Sequence, residues 1–401
     1  MNSLWRQLAI ATNWPVLVAV MVLSSLGVLS IWADTRGDVG QEWVKQAIFL
    51  AAAFLCMALF QAIDYREIGR WSWGFYLVSL VVLIYTVVPW THAPRGDGRI
   101  LMVPETNGAY AWINFRIMRF QPAELTKIAF VMVMARYLRF RSNYRTFKGL
   151  LAPFALAMVP LALILKQPDL GTALIFIPAL FAMLFVAGAK IRHLVLIVLL
   201  GLMMGPLLWL CGSGDGAPNL PIFRHLPTFV RSYQRERVYA MFNDDPATIS
   251  ATGFQQHYAL AAMGSGGLSG KGPGNTPVGR RVPEAHNDMI FALIGEQFGL
   301  FGTAAVLLSY IVLFAAGIEI AAGTREPFGK LLAIGVVSLL AGQTFLNLMV
   351  TVKLLPVTGV TLPFISYGGS SLLASYMAAG LLLNIGQNRP LVMANNAFEF
   401  E

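Results

Sequence analysis

Several polar side chains sit where so apolar a chain has little reason to keep them. Glu124 and Lys127 fall in Arg119-Phe120-Gln121-Pro122-Ala123-Glu124-Leu125-Thr126-Lys127, at the start of an apolar run. Pro122 suits the first turn of a helix, and a spacing of three puts Glu124 and Lys127 on one face, within reach of each other. Two readings stand level: an ion pair holding helices together, or a polar cavity that receives a substrate. One pair can do both. Lys166-Gln167-Pro168-Asp169-Leu170-Gly171-Thr172 interrupts two further apolar runs. Asp169 and Thr172 are good capping residues. A plain turn, however, has no need of both Lys166 and Asp169 beside hydrocarbon, where ionisable groups are costly and usually face a cavity or a partner.

The remaining chemistry is in one long polar segment. Arg224, Arg231, Arg235 and Arg237 make a basic run around Tyr233-Gln234-Arg235-Glu236-Arg237, suited to lipid headgroups in general or a pyrophosphate in particular. Gly264-Ser265-Gly266-Gly267-Leu268-Ser269-Gly270-Lys271-Gly272 can bare backbone N–H groups to phosphate. Its spacing is not that of a Walker A loop, and a flexible loop is the commoner meaning of such a stretch. Pro283-Glu284-Ala285-His286-Asn287-Asp288 then leads into an apolar run. A carboxylate at that boundary is partly desolvated and can act as a general base. On residue physics alone a helix N-cap is the simpler role for Asp288. The His-Asn-Asp cluster lacks metal-ligand spacing, and there is neither a nucleophile elbow nor an HExxH motif.

What positions these residues is a membrane. The 401-residue chain is 57% hydrophobic and only 12% charged, against roughly 25% charged in soluble domains. A water-soluble core cannot hide that much apolar surface; a bilayer can. The net charge of +9 lies between apolar runs, which points to lipid headgroups and away from nucleic acid. Cys56 and Cys211 both fall in apolar runs and read as packing residues. Ten stretches are candidate spans: Trp14–Trp32, Val44–Ile63, Trp73–Trp90, Pro122–Leu138, Leu150–Leu165, Thr172–Gly188, His193–Cys211, Leu300–Ala322, Leu331–Val352 and Phe364–Ile385. The first reads as an uncleaved signal. The expectation is an all-α polytopic protein forming a single domain over residues 1–401, with a large loop at 212–299 between helices seven and eight.

Lys and Arg set the orientation. With the N-terminus in the cytoplasm, the inner loops hold Arg66 and Arg70; Arg136, Arg139, Arg141, Arg145 and Lys148; Lys190 and Arg192; and Arg325 and Lys330. The short outer loops hold Arg36, Lys45 and Lys353. The C-terminus returns to the cytoplasm, and the long segments 91–121 and 212–299 lie outside, so the chemistry belongs to the outer membrane surface. Loops of such length are usually functional.

Phe120-Gln121-Pro122-Ala123-Glu124 with Lys127, Gln167 through Thr172, the Gly264 stretch, the Pro283 stretch, and Pro356-Val-Thr-Gly-Val-Thr-Leu-Pro-Phe-Ile-Ser-Tyr-Gly-Gly-Ser-Ser371 occur in this order. Together they resemble the SEDS family (shape, elongation, division and sporulation) from Trp14 to Asn388. The resemblance implies a ten-helix peptidoglycan glycosyltransferase of the bacterial cytoplasmic membrane. Such an enzyme polymerises lipid II and works with a class B penicillin-binding protein that supplies the transpeptidase. It implies Asp288 as the catalytic residue, which reverses the preference for a cap. It also implies Arg119, Gln121, Glu124, Lys127, Asp169, Gln234 and Arg237 as cavity or substrate-binding positions.

The chemistry agrees with that assignment. The acceptor 4-hydroxyl must lose a proton as it attacks the donor's anomeric carbon, and the leaving pyrophosphate needs cationic stabilisation. Arg237, Lys271 or a divalent cation (Mg or Mn) would supply it; no cofactor is otherwise required. Asn287 stands where the family has Thr, Ala123 where Ser is common, and Gln297 where a second Glu often follows Glu296; the stretch between Gly272 and Pro283 is short. Leu170 and Ile63-Asp64-Tyr65-Arg66 lean towards the RodA-like, elongation branch over the FtsW-like one. A lipid flippase or transporter, and a non-catalytic scaffold for a penicillin-binding protein, are the alternatives. The charges cluster towards one side of the membrane and do not cross it, which disfavours a flippase; a scaffold has no use for them.

Overall fold

The computed structural model describes residues 13–34, 42–94, 99–106, 109–115, 118–141, 143–211, 232–242 and 253–388. Arg36, Arg224 and Arg231 lie outside them. In a lipid environment the backbone must satisfy its own polar groups, so the apolar runs fold as helices. Eight are long and apolar enough to cross a membrane: α1 (Trp14–Asp34), α2 (Glu42–Ala62), α6 (Leu151–Lys166, extended by a short turn from Lys148), α7 (Leu170–Ala187), α8 (Ile191–Leu210), α11 (Ile290–Gly323), α12 (Pro327–Thr351) and α13 (Gly369–Gln387). Two more complete the expected ten. These are the shorter apolar α4 (Ser72–Val87) and α5 (Pro122–Arg139), which carries Glu124 and Lys127. Short α3 (Tyr65–Arg70) and the loop helices α9 (Ser232–Phe242) and α10 (Phe254–Ser265) are not spans. Strands β1 (His92–Ala93) and β2 (Val103–Pro104) pair in parallel, and β3 (Ile113–Asn114) and β4 (Arg119–Phe120) pair antiparallel.

Because the spans alternate in direction, their connections sort to two ends. One end, the loop end, gathers the described residues 88–94, 99–106, 109–115, 118–121, 167–169, 211, 232–242, 253–289 and 352–368. Asp34 at the end of α1 accepts from Thr276 of the long loop at 2.8 Å there. The opposite end gathers the short basic connections, where Arg139 meets Glu326 at 3.1 Å. Trp14, Trp43, Trp71 and Trp90 are exposed near helix ends, as an interfacial belt requires.

Helix α13 is the axis of the bundle and is almost wholly buried. It can be, because Gly380 lets it touch α2: a Cβ there would lie 2.6 Å from the Met57 carbonyl. Asn384 of α13 donates to the carbonyls of Phe60 (2.8 Å), Gln61 (3.0 Å) and Ile63, the unsatisfied C-terminal acceptors of α2. Helix α8 is the opposite case, with only Leu194 fully buried.

Two boundaries differ from the sequence reading. Helix α11 begins at Ile290, ten residues before the expected span, and is broken at Gly299 (φ 62, ψ −152). Residues 290–298 are therefore a separate helical segment that hydropathy merges with the loop. The last span starts at Gly369 and not at Phe364, because Phe364 and Gly368 have positive φ and cannot continue a helix.

Candidate active site

Helix α5 enters at the loop end with Pro122 in its first turn. One turn in, Lys127 Nζ lies 2.9 Å from Glu124 Oε1 and 2.7 Å from Gln343 Oε1 on α12. The Lys127 side chain is 1% exposed. Gln343 carries a tie from this pair to α12, and Glu124 Oε2 is buried without a hydrogen-bond partner among the described residues. Asp169 caps α7, accepting from Thr172 N (2.9 Å) and Thr172 Oγ1 (2.7 Å), and also takes the side-chain amide of Gln121 at 2.9 Å. Burial pushes its carboxyl above the ordinary range, opposed by the Thr172 bonds; Glu124 pushes the same way as burial and Lys127 against it. These four sequence-predicted residues therefore form one cluster. Lys166 is exposed at the rim.

The Pro356–Ser371 stretch is the wall of this site. It runs extended from α12 to α13, and side chains from several elements grip its carbonyls. Gln256 of α10 donates to Leu355 O (2.6 Å) and Arg237 of α9 to Val357 O (2.8 Å). Asn347 donates to Val360 O (2.7 Å) and Gln343 to Thr361 O (3.0 Å), both from α12, and Tyr310 of α11 donates to Pro363 O. A buried extended segment needs such partners, since its own backbone makes few. Gly171 allows close approach; a Cβ there would lie 2.5 Å from Val360. At the far end, Ser370 Oγ accepts from Gln121 N (3.0 Å) and donates to Arg119 O (3.2 Å), joining α13 to the entry of α5.

Asp288 is half-buried at the loop end. It is not the N-cap that residue physics favours: Met289 holds that position, and no side chain caps the helix. Burial raises its carboxyl to about 6, with Glu284 adding to the rise; a hydrogen bond to its own backbone and the Arg237 guanidinium oppose it. Arg237 thus faces both Asp288 and the wall. Gln234 lies one turn earlier on the same face of α9. Between them Arg235, 1% exposed, turns the other way. It donates to the carbonyls of Cys211 (2.7 Å) and Trp209 (3.1 Å) and lies over the Trp209 ring. A cation on the last carbonyls of α8 is well placed for the helix dipole, and it ties α9, which also carries Arg237, to the end of α8.

Three amides at the end of the Gly-rich stretch turn inward to the protein. Gly270 N, Lys271 N and Gly272 N donate to Gly266, Glu296 and Gln297 carbonyls at 2.9, 2.9 and 3.0 Å. Its glycines permit backbone contact with the broken helix: a Cβ on Gly266 would lie 1.9 Å from the Gly295 oxygen. Lys271 Nζ is bound by Glu296 Oε1 (2.7 Å) and Ser265 Oγ (2.6 Å). Glu296 also takes the amides of Val278 (3.1 Å) and Gly279 (2.7 Å), so the pair locks the loop. The Gln297 amide donates to Ser30 O at 3.2 Å, which a carboxylate there could not do. Arg119 is exposed on β4 and meets the cluster only through its backbone.

Sequence reasoning missed Gln343 and Asn347, and it gave Arg235 and Glu296 no structural role. The first two carried a usable signal: amides four residues apart on an apolar span share a face and need partners. Among the described residues, no three His, Cys, Asp or Glu side chains converge on a metal site.

Comparison with known proteins decides the family. The profile of the FtsW/RodA/SpoVE cell cycle proteins matches residues 4–390. The chain belongs to this family. Stage V sporulation protein E of Bacillus subtilis is 31% identical over 92% of this chain and 95% of its own. A probable peptidoglycan glycosyltransferase FtsW of Geobacter sulfurreducens is 34% identical over 92% and 94%. The peptidoglycan glycosyltransferase MrdB of Escherichia coli is 30% identical over 94% and 93%. Among solved structures, a chain of a peptidoglycan synthase complex that coordinates polymerization and crosslinking aligns with TM-score 0.75 and 28% identity, over 95% of this chain and 99% of that one. Thermus thermophilus RodA aligns with TM-score 0.65 and 26% identity, over 94% and 97%. As a member of the FtsW/RodA/SpoVE family, the chain is a multi-pass helical membrane protein.

Proposed function

We propose that this peptidoglycan glycosyltransferase polymerises lipid II at the outer face of the bacterial cytoplasmic membrane, with both termini in the cytoplasm. The observation that carries the reading is Asp288: a half-buried carboxylate, free of capping duty, with Arg237 beside it at the loop end. Burial raises its basicity, while the guanidinium keeps it ionised near neutral pH. Asp288 takes the proton of the acceptor 4-hydroxyl as that oxygen bonds to the donor's anomeric carbon. The bond from that carbon to the pyrophosphate oxygen breaks, and Arg237 offsets the charge on the departing undecaprenyl pyrophosphate. The buried Glu124–Lys127–Asp169 cluster, with Gln121, forms the polar floor that orients sugar hydroxyls. Gln234 and Arg119 supply the rim. Lys271, engaged by Glu296, serves loop structure and leaves pyrophosphate binding to Arg237.

The partner in this reading is a class B penicillin-binding protein, supported by likeness to a chain from a complex that couples polymerization to crosslinking. The role is elongation, on the RodA-like features Leu170 and Ile63 through Arg66. Incubating the purified protein with lipid II, with and without that partner, and resolving the products by gel tests the activity. Glycan polymer with the partner present is expected; none in either case overturns it.

A further inference from the structure

We infer that Asn347 is the positioning residue for Asp288, fixing the backbone of that carboxylate against the cavity wall. Asn347 lies on α12, 1% exposed. Its single Nδ2 donates to two carbonyls, Asp288 O at 2.6 Å and Val360 O at 2.7 Å. Two acceptors fix the orientation of the amide, since its oxygen would repel both. The residue thereby joins the 283–289 loop, the Pro356–Ser371 wall and α12 at one buried point, beside the Tyr367 N–H bond to His286 O (2.9 Å) that links loop and wall further along. Four residues earlier on the same face, Gln343 ties that wall to Lys127. Asn347 therefore couples the distance between Asp288 and the Glu124–Lys127 cluster to a rigid helix.

The inference rests on the reading of Asp288 as the base. A base held by its side chain alone would drift, because the loop before it is partly exposed and Met289 starts α11 without a side-chain cap. Tethering the Asp288 carbonyl limits both its position and the entry of water. The charged groups around Asp288 are Arg237 on α9 and Glu284 in its own loop. His286 of that loop is turned towards Glu42 of α2, at 3.5 Å.

Two variants of the full-length protein, assayed on lipid II with its partner, test the idea. Asn347→Asp keeps the shape but sets an acceptor against two carbonyls; Asn347→Ala removes both donors without adding charge. Misplacing a reacting group by about 1 Å can cost about 100-fold. Either variant that remains folded by thermal unfolding in detergent should lose at least about tenfold in kcat, with KM for lipid II little changed. The acidic limb of kcat/KM should also move down towards the usual carboxylate range, because water reaches Asp288. A merely structural role would leave that limb in place. Wild-type kcat and an unmoved acidic limb in a folded variant, with Asp288→Asn inactive, would overturn the inference alone. An active Asp288→Asn would remove the base reading and this inference with it.

Discussion

Lys127 Nζ lies 2.7 Å from Gln343 Oε1, and through that contact a charge pair on α5 enters the hydrogen-bond network of α12. Gln343 passes the connection on to both the carbonyl and the hydroxyl of Thr361, at 3.0 and 3.1 Å. Thr361 in turn reaches Ser371 at 2.7 Å. The ammonium is thus the fixed point from which the wall is hung.

Removing one member of the pair leaves the other buried and unpaired, which typically costs about 3–5 kcal/mol. Glu124→Ala should therefore lower both thermal stability and polymerisation. The double variant Glu124→Gln with Lys127→Met should recover most of the stability and none of the activity. Unfolding in detergent and the lipid II assay read the two effects separately. Recovered activity in the double variant would reduce the pair to a helix tie.

For Asp288 the sign of the pH dependence is fixed. As a base it must be ionised, so kcat/KM should fall as pH drops through about 6. Asp288→Asn should polymerise at least about 100-fold more slowly. Stability runs the other way. A carboxyl raised from 3.8 to about 6 on folding contributes stability below pH 3.8 that is lost as pH rises through about 6. Asp288→Asn should therefore unfold at a higher temperature than wild type at pH 8 and at nearly the same temperature near pH 4.

Arg235→Lys should impair activity almost as much as Arg235→Ala. An ammonium can donate to the two carbonyls but has no planar guanidinium to lay over Trp209 while doing so. Limited proteolysis should reveal a loosened α9 in both variants, with membrane insertion intact. Full activity in Arg235→Ala would uncouple Arg237 from this anchor.

In the Gly-rich stretch, Gly266→Ala should prevent normal accumulation, because its Cβ would meet the Gly295 backbone at 1.9 Å. Gly267→Ala meets no atom within 4 Å and carries only the cost of its positive φ (+59), about 1–2 kcal/mol. Equal expression of both variants would show that the stretch is loose.

Membrane orientation is tested by labelling single cysteines in intact cells. An impermeant reagent should modify Ser269→Cys in the long loop and leave Lys148→Cys, among the basic connections, untouched. The reverse pattern would invert the topology and move the chemistry to the cytoplasmic side.

The spans, their alternation and the basic character of the short connections at one end were legible in the chain. Hydropathy over about 20 residues and the position of Lys and Arg are local properties, and a bilayer makes them decisive. The Glu124–Lys127 pair was legible for the same reason, since three residues along one helix fix its geometry. Tertiary structure decided everything that depends on which helix lies beside which. Hydropathy could not show the helical segment Ile290–Phe298 before the break at Gly299, because nine residues that include Glu296 and Gln297 are too short and too polar to stand out from the loop. Residue preference made Asp288 a cap until the structure gave that place to Met289. The sequence gives no sign that Lys271 pairs with Glu296, twenty-five residues away. Gln343 and Asn347 read as two amides in an apolar run. Only packing could assign them, because a buried polar group acquires its role from its partners, and these lie on segments remote in sequence.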